Sequence, residues 1–372
     1  MITKKFLTAI VTIVLIAAFY GCSRKYATKN AFGLKDYYSS YFKMGVAVSP
    51  QTIRGAQAAL LIKEFNSITP ENAMKMQSIH PRENQYNWAD ADTLVSFAVR
   101  NGLKVRGHTL CWHEQVPGWI FKNGTGEKAD KLLVLKRLKD HINNVVGRYK
   151  GKVYAWDVVN EVIGDEEGQY LRPSLWNEIC GEEFISRAFE YAHQADPDAL
   201  LFYNDYNSER PEKREKIYKM LKKLVDNKVP IHGIGLQGHW SIYEPSDSEL
   251  RETIKLYSSL GLQVQITELD VSIYKWEKNL RKKIPGEPDS LTRQLEKKQL
   301  EKYDRIFSVF REFNKEITSV TFWNLSDRST WLDRYPVPGR KNFPLLFDSN
   351  LQRKKAYQRV VDFKPDLNQP VK

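Results

Sequence analysis

The sequence predicts an α/β protein, a (β/α)8 barrel forming a single domain. Three observations lead there. Short apolar, β-branched runs alternate with longer amphipathic stretches, the pattern of parallel βαβ units. Eight such runs fit into 372 residues, and a barrel normally needs about 250 residues while tolerating loop insertions. Polar residues also collect at the C-terminal ends of the runs, the end at which barrels carry their chemistry.

The expected strands are, in order, Lys43–Val48, Phe65–Thr69, Leu103–Thr109, Val153–Asn160, Leu200–Asn204, Gly233–Gln237, Gln263–Glu268 and Ser319–Trp323. Helical segments lie between them, among them Leu132–Tyr149, Glu182–Ala195, Arg210–Asn227, Asp247–Leu260 and Leu291–Lys315. An open doubly wound sheet is the alternative. That fold places a glycine-rich turn after its first strand, and Val46-Ala47-Val48-Ser49-Pro50 is no such turn.

Composition agrees with a folded globular chain: 42% hydrophobic and 27% charged residues, which excludes a disordered or collagen-like protein. The net charge of +12 does not point to nucleic acid, because basic residues are spread along the chain and mixed with acids. Aromatic residues reach 12%, and flat rings with polar edges suit a sugar cleft. At the N-terminus, Lys4 and Lys5 precede an apolar run from Phe6 to Tyr20, followed by Gly21-Cys22. This reads as a signal peptide over 1–21. The small residue before Cys22 resembles the bacterial lipobox, so Cys22 is expected to carry lipid, with 22–31 as a tether and 32–372 as the catalytic domain. The expected location is a bacterial envelope, anchored by lipid alone and facing the periplasm or the cell surface, or secreted. Ser-Arg-Lys after Cys22 favours the periplasm-facing form. Cys111 and Cys180 are then expected to be free buried thiols.

The strand ends carry the functional signal. They lead into Thr69-Pro70-Glu71-Asn72, His108, Asn160-Glu161, Asn204-Asp205, Gln237-Gly238-His239, Glu268-Leu269-Asp270 and Trp323-Asn324. Glu161 and Glu268 stand at the ends of the fourth and seventh strands and would face each other across a barrel mouth. Two carboxylates flanking one bond are what glycoside hydrolysis requires, one to supply a proton and one to attack. A single strand-end glutamate is more often an ion-pair partner or a cap. Here, however, Asn160 offers an amide to a sugar hydroxyl, and Glu268 and Asp270 share one strand face at period two.

Six motifs carry a resemblance to a known family. They are Asn66-Ser67-Ile68-Thr69-Pro70-Glu71-Asn72-Ala73-Met74-Lys75, Arg106-Gly107-His108-Thr109-Leu110-Cys111-Trp112-His113 and Trp156-Asp157-Val158-Val159-Asn160-Glu161. Gly235-Leu236-Gln237-Gly238-His239, Ile266-Thr267-Glu268-Leu269-Asp270-Val271, and Thr321-Phe322-Trp323 with Ser326-Asp327 and Trp331-Leu332 complete the set. In this order, from Phe42 to about Tyr357, the chain resembles glycoside hydrolase family 10, retaining endo-β-1,4-xylanases on a (β/α)8 barrel. The resemblance implies Glu161 as acid/base and Glu268 as nucleophile, with His239 and Asp270 orienting Glu268 and keeping it ionised. It implies Glu71, Asn72, Lys75, His108, Trp112, Asn160 and Gln237 around sugars on the non-reducing side, with Trp323 and Trp331 closing over them. Two positions depart from the family pattern: Met76, where many members have Trp or Pro, and Asn324-Leu325, in place of a commoner glycine-containing turn.

No cofactor is implied. His108, His113 and Glu114 could suggest a metal, but no His-x-His pair is present and metal binding is not expected. Trp112 is read as a sugar platform and Trp119 as core or rim; His80, His141 and His193 are read as isolated structural or exposed residues. The expected partners are xylan and xylo-oligosaccharides, with no nucleic acid, and the expected state is a monomer. A β-1,4-glucanase on the same barrel, or a non-catalytic polysaccharide-binding lipoprotein, are the competing readings. The intact Glu161 and Glu268 argue against the binder.

Overall fold

The computed structural model describes residues 32–363. The signal-like run, Cys22 and the tether up to residue 31 lie outside the described residues. Nine parallel strands form the sheet: β1 Lys43–Val48, β2 Ser67–Pro70, β3 Lys104–Cys111, β4 Val153–Asn160, β5 Leu200–Asp205, β6 Gly233–Leu236, β7 His239–Ser241, β8 Gln263–Ser272 and β9 Ile317–Phe322. Neighbours follow chain order from β1 to β6. Then β6 pairs with β8, β8 with β9, and β9 with β1, where Gly45 lies opposite Thr321. This closes a (β/α)8 barrel of eight staves. The short β7 continues the line of β6 past Gln237-Gly238 and pairs with β8, His239 opposite Asp270.

The staves are buried almost end to end, as expected for parallel strands covered by helices outside and by packed side chains within. Helices Gly55–Glu64, Ala89–Arg100, Lys131–Arg148, Glu183–Ala195, Pro211–Asp226, Asp247–Ser258, Arg293–Glu312 and Lys355–Val361 follow successive staves. Their starts are specified locally. Asp130, Ser246 and Thr292 accept hydrogen bonds from Leu133, Glu249 and Leu295 N–H groups, and Pro211 occupies the first turn of its helix. On Lys131–Arg148 the buried Val134, Leu138, Ile142 and Val145 recur at helical spacing and face the barrel.

β1 and β4 have the bounds expected from sequence, whereas β3 and β8 run on to Cys111 and Ser272. The reason is physical. His108 and Glu268 interrupt the apolar pattern and so read as strand ends, but at a barrel mouth polar side chains can point inward while the backbone ladder continues past them. Two histidines also differ from expectation. His80 and His141 are a buried pair, Nδ1 to Nδ1 3.2 Å, and burial holds them down to about 4 and about 3. Cys111 and Cys180 are both free and buried.

Beneath the barrel mouth lies an ion pair. Arg106 on β3 donates through Nη1 and Nη2 to both oxygens of Asp157 on β4, the Nη2–Oδ1 bond being 2.6 Å. Its Nε reaches Gln265 Oε1 on β8 at 2.8 Å, and its guanidinium sits over the Phe202 ring on β5. His108 Nδ1 lies 2.8 Å from Asp157 Oδ2. Arg106 and Asp157 are 1% and 0% exposed, so removing one partner strands a buried charge. Such losses typically cost about 3–5 kcal/mol. Asp157→Ala should therefore lower the urea unfolding free energy by an amount in that range, and a loss below about 1 kcal/mol would refute the bracing role.

Candidate active site

Glu161 begins the loop after β4 with φ 57°, a left-handed conformation uncommon for a residue with a Cβ. Its backbone is held on both sides: its N–H donates to Asn204 O at 2.9 Å, and its carbonyl accepts from Arg172 Nε at 2.9 Å. The carboxylate accepts from Trp112 Nε1 at 2.9 Å and from Gln237 Nε2 at 2.8 Å. One oxygen thus faces β3 and the other β6.

Glu268 lies within β8, two residues before Asp270, and both carboxylates face His239 as their shared strand face requires. His239 Nδ1 is 2.9 Å from Asp270 Oδ2, and its Nε2 is 3.2 Å from Glu268 Oε2. Burial alone would push the imidazole down, but the charge and hydrogen bond of Asp270, joined by those of Glu268, raise it to about 10. Burial alone would likewise push the Glu268 carboxyl up. The His239 hydrogen bond and the pull of His108, His239 and Lys75 prevail and hold it down to about 2. These contacts favour the ionised form of Glu268, whose second oxygen accepts from Asn204 Nδ2 at 2.8 Å.

Asn204, at the top of β5, ties the two glutamates together. Its carbonyl holds Glu161, while its side-chain N–H groups reach Glu268 Oε1 and Asn160 Oδ1 at 2.9 Å for the latter, and its Oδ1 accepts from Thr267 at 2.6 Å. The strand alongside must be bare for this to fit. A Cβ on Gly235 would lie 2.2 Å from Asn204 Oδ1.

A cleft of about 420 Å³ opens over these groups. Glu71, Lys75, His108, Trp112, Asn160, Gln237, Trp323 and Trp331 line it together with Glu161, Glu268 and His239. Asn72 does not line it; exposed at the margin, it accepts from Lys75 Nζ at 3.0 Å. Asp270 stands behind His239 and accepts from Trp331 Nε1 at 2.8 Å. Trp323 packs edge-on to His108 and Trp331 edge-on to His239. Lys75 Nζ lies 5.0 Å from the Trp112 ring. Burial lowers the Lys75 ammonium and raises the Glu71 carboxyl, each opposed by the other's charge. The departures from the family pattern are accommodated: Met76 is buried at a helix start, and Asn324 adopts φ 113°, a conformation that glycine takes freely.

The other half of the cleft has little signature in the sequence, which singles out His113 and Glu114 only as metal candidates. His113, Glu114, Arg172, Tyr206, Trp276, Glu277, Lys278 and Tyr335 line it. All belong to loops beyond the strand ends, where no periodic pattern marks a residue's direction. The stacking of Trp276 on Tyr206, rings 6.3 Å apart, is invisible in a sequence that separates them by 70 positions.

Residues 33–363 match the model of glycosyl hydrolase family 10. The chain belongs to that family. Among family relatives, endo-1,4-beta-xylanase B of Paenibacillus barcinonensis is 47% identical over 88% of this chain and 97% of its own. A beta-1,4-xylanase of Dictyoglomus thermophilum is 47% identical over 98% and 100%. The crystal structure of a Paenibacillus barcinonensis xylanase bound to a conduramine derivative superposes with a TM-score of 0.85 at 45% identity, covering 90% of this chain and 99% of that one. Xylanase B of Clostridium stercorarium F9 gives 0.84 at 39% identity, covering 89% and 100%.

The Asp270–His239–Glu268 relay makes a prediction about pH. With His239 replaced by Gln, Glu268 loses its nearest positive charge while its burial persists, so its carboxyl must move up. The acid limb of the pH–kcat/KM profile should rise by about 1–3 units in His239→Gln. An unmoved acid limb would show that His239 does not set the ionisation of Glu268.

Proposed function

We propose that the protein is an endo-β-1,4-xylanase that cleaves internal xylosidic bonds of xylan with net retention of anomeric configuration. The observation that carries this reading is the pairing of two glutamates from β4 and β8 through Asn204, with one held ionised by His239, at the floor of an aromatic-lined cleft. The xylanase relatives, alike over nearly their full length, support the substrate class. In the first step Glu268 attacks the anomeric carbon while Glu161 protonates the departing glycosidic oxygen. In the second, Glu161 takes a proton from water, which attacks the same carbon and releases Glu268. Two inversions leave the configuration unchanged. Glu71, Lys75, His108, Trp112, Asn160 and Gln237 contact the sugars on the non-reducing side, Asn72 supports Lys75 from the margin, and Trp323 and Trp331 close over them.

The reading extends to the cell. Cys22 is lipidated after removal of 1–21, and the tether holds a monomeric enzyme at the bacterial envelope, where xylan and its oligosaccharides arrive. The support is the Lys4-Lys5, Phe6–Tyr20 and Gly21-Cys22 pattern. Among the described residues no helix is long and apolar enough to cross a membrane.

Reducing-sugar release should be high on xylan and low on β-glucan and carboxymethylcellulose, and proton NMR of the first product should show the β-anomer. An initial α-anomer would exclude double displacement, and release from glucans alone would favour a glucanase. Selectivity has a structural source as well. Glucose carries a hydroxymethyl group at C5 where xylose has hydrogen, and rigid indoles over the site exclude it by repulsion. Since one extra methylene in a fitted pocket changes kcat/KM by about 10–200-fold, aryl xylobiosides should outpace aryl cellobiosides by a factor in that range. Trp323→Gly should shrink the ratio; an unchanged ratio would clear Trp323 of gatekeeping.

A further inference from the structure

The loop after β4 folds into a narrow hairpin. Ile163 bridges Leu171, Gly164 N–H donates to Tyr170 O at 3.0 Å, and Arg172 N–H donates to Val162 O at 2.7 Å. The hairpin returns Arg172 to the residue that opens the loop, and Arg172 Nε meets the Glu161 carbonyl at 2.9 Å. The guanidinium is itself held: Nη2 donates to Tyr206 OH at 2.8 Å and lies 3.1 Å from Asp165 Oδ2. Asp165 is a hub that also accepts from the Tyr206 hydroxyl and pairs with Lys213 at 2.9 Å and Lys278 at 3.0 Å. Lys278 comes from the loop after β8, the strand that carries Glu268.

Glu161 needs this support. Its left-handed backbone conformation is disfavoured for a residue with a Cβ, and such conformations persist only where surrounding contacts over-determine them. Asn204 fixes the N–H side, and Arg172 fixes the carbonyl side. Without the Arg172 side chain the Glu161 carbonyl loses its partner, the peptide after Glu161 gains freedom to tilt, and the Glu161 side chain moves with its backbone. A proton donor displaced by about 1 Å loses much of its rate advantage.

We infer that Arg172 is a positioning residue for proton transfer: anchored by Tyr206 and Asp165, it locks the Glu161 backbone so that the carboxyl meets the leaving-group oxygen. The inference rests on Glu161 being the acid/base. Arg172 transfers no proton itself. Its loss therefore impairs only steps in which Glu161 gives or takes one.

The test is the dependence of rate on leaving group, measured as kcat/KM for 2,4-dinitrophenyl xylobioside and for phenyl xylobioside in wild type, Glu161→Ala, Arg172→Met, Arg172→Lys and Tyr206→Phe. A dinitrophenolate departs without a proton; a phenolate requires one. Arg172→Met should lose about 10–100-fold on the phenyl glycoside and less than about 3-fold on the dinitrophenyl one. Arg172→Lys, which cannot reproduce the guanidinium fork, should show the same selective loss on the phenyl glycoside in smaller measure. Tyr206→Phe, which removes one hydroxyl and leaves every charge in place, should shift the ratio in the same direction by a few-fold. Equal losses on both substrates in the Arg172 variants, or an unchanged ratio in Tyr206→Phe, would overturn the inference. Glu161→Ala separates the two levels: if it shows no leaving-group dependence, the acid/base reading itself falls, whereas dependence in Glu161→Ala without any in Arg172→Met removes the positioning role alone.

Discussion

The buried pair of Arg106 and Asp157 is the constraint on which the active end of this barrel rests. A guanidinium in a dry interior is tolerable only with its charge matched and its donors occupied. Asp157 takes two of those donors and Gln265 a third, so β3, β4 and β8 are joined below the mouth. His108 stands on the same carboxylate, which orients it into the cleft. The floor of the site is thus polar, rigid and tied to the staves that carry Glu161 and Glu268.

On that floor the two glutamates are held differently, and the difference suits their proposed roles. Glu268 sits inside a strand with His239 and Asn204 on its oxygens, and the Asp270 charge behind His239 keeps the imidazole protonated. An attacking carboxylate needs that fixed, ionised state. Glu161 stands just beyond the strand end, with a left-handed backbone pinned by Asn204 and Arg172 and with neutral N–H donors on its oxygens. A group that must give and recover a proton gains from partners that carry no fixed charge. Asn204 contacts both glutamates, its backbone carbonyl taking the Glu161 N–H and its side chain a Glu268 oxygen, and so ties their positions together through one residue.

The loops supply the remaining wall. Asp165 gathers Arg172, Lys213 and Lys278 from three segments, while Glu277 and Glu287 share Arg281 and Arg340. Isolated surface pairs contribute little, but groups that share partners restrain one another, because ordering one side chain lowers the entropy cost of the next. Tyr335 stacks on Trp331 and donates to the Lys278 carbonyl, which joins the loop after β9 to the same network. The long loops therefore have a defined shape although they contain little regular structure.

The sequence by itself determined the barrel and the chemical end of it. Continuous apolar runs, helix caps and the alternation of those runs with amphipathic stretches are local properties, and Glu161, Glu268, His239 and Asp270 lie on or beside strands, where direction follows from position in the pleat. The family motifs added the residues expected around the sugars, of which Asn72 alone stands outside the cleft lining. Other features had no local signature. β3 and β8 continue past His108 and Glu268 because inward polar side chains are compatible with the ladder, a fact of the mouth rather than of the strand. His80 and His141 look isolated 61 positions apart and become a pair only when a short helix after β2 meets the helix after β3. Asn204 was visible as a strand end, yet its bridging role depends on the absence of a side chain at Gly235. Arg172, Tyr206, Trp276 and Lys278 belong to loops whose directions are set by contacts between distant segments. Strand and helix positions are dictated by repeating backbone geometry, which sequence records; loop positions are dictated by partners, which only the tertiary structure brings into reach.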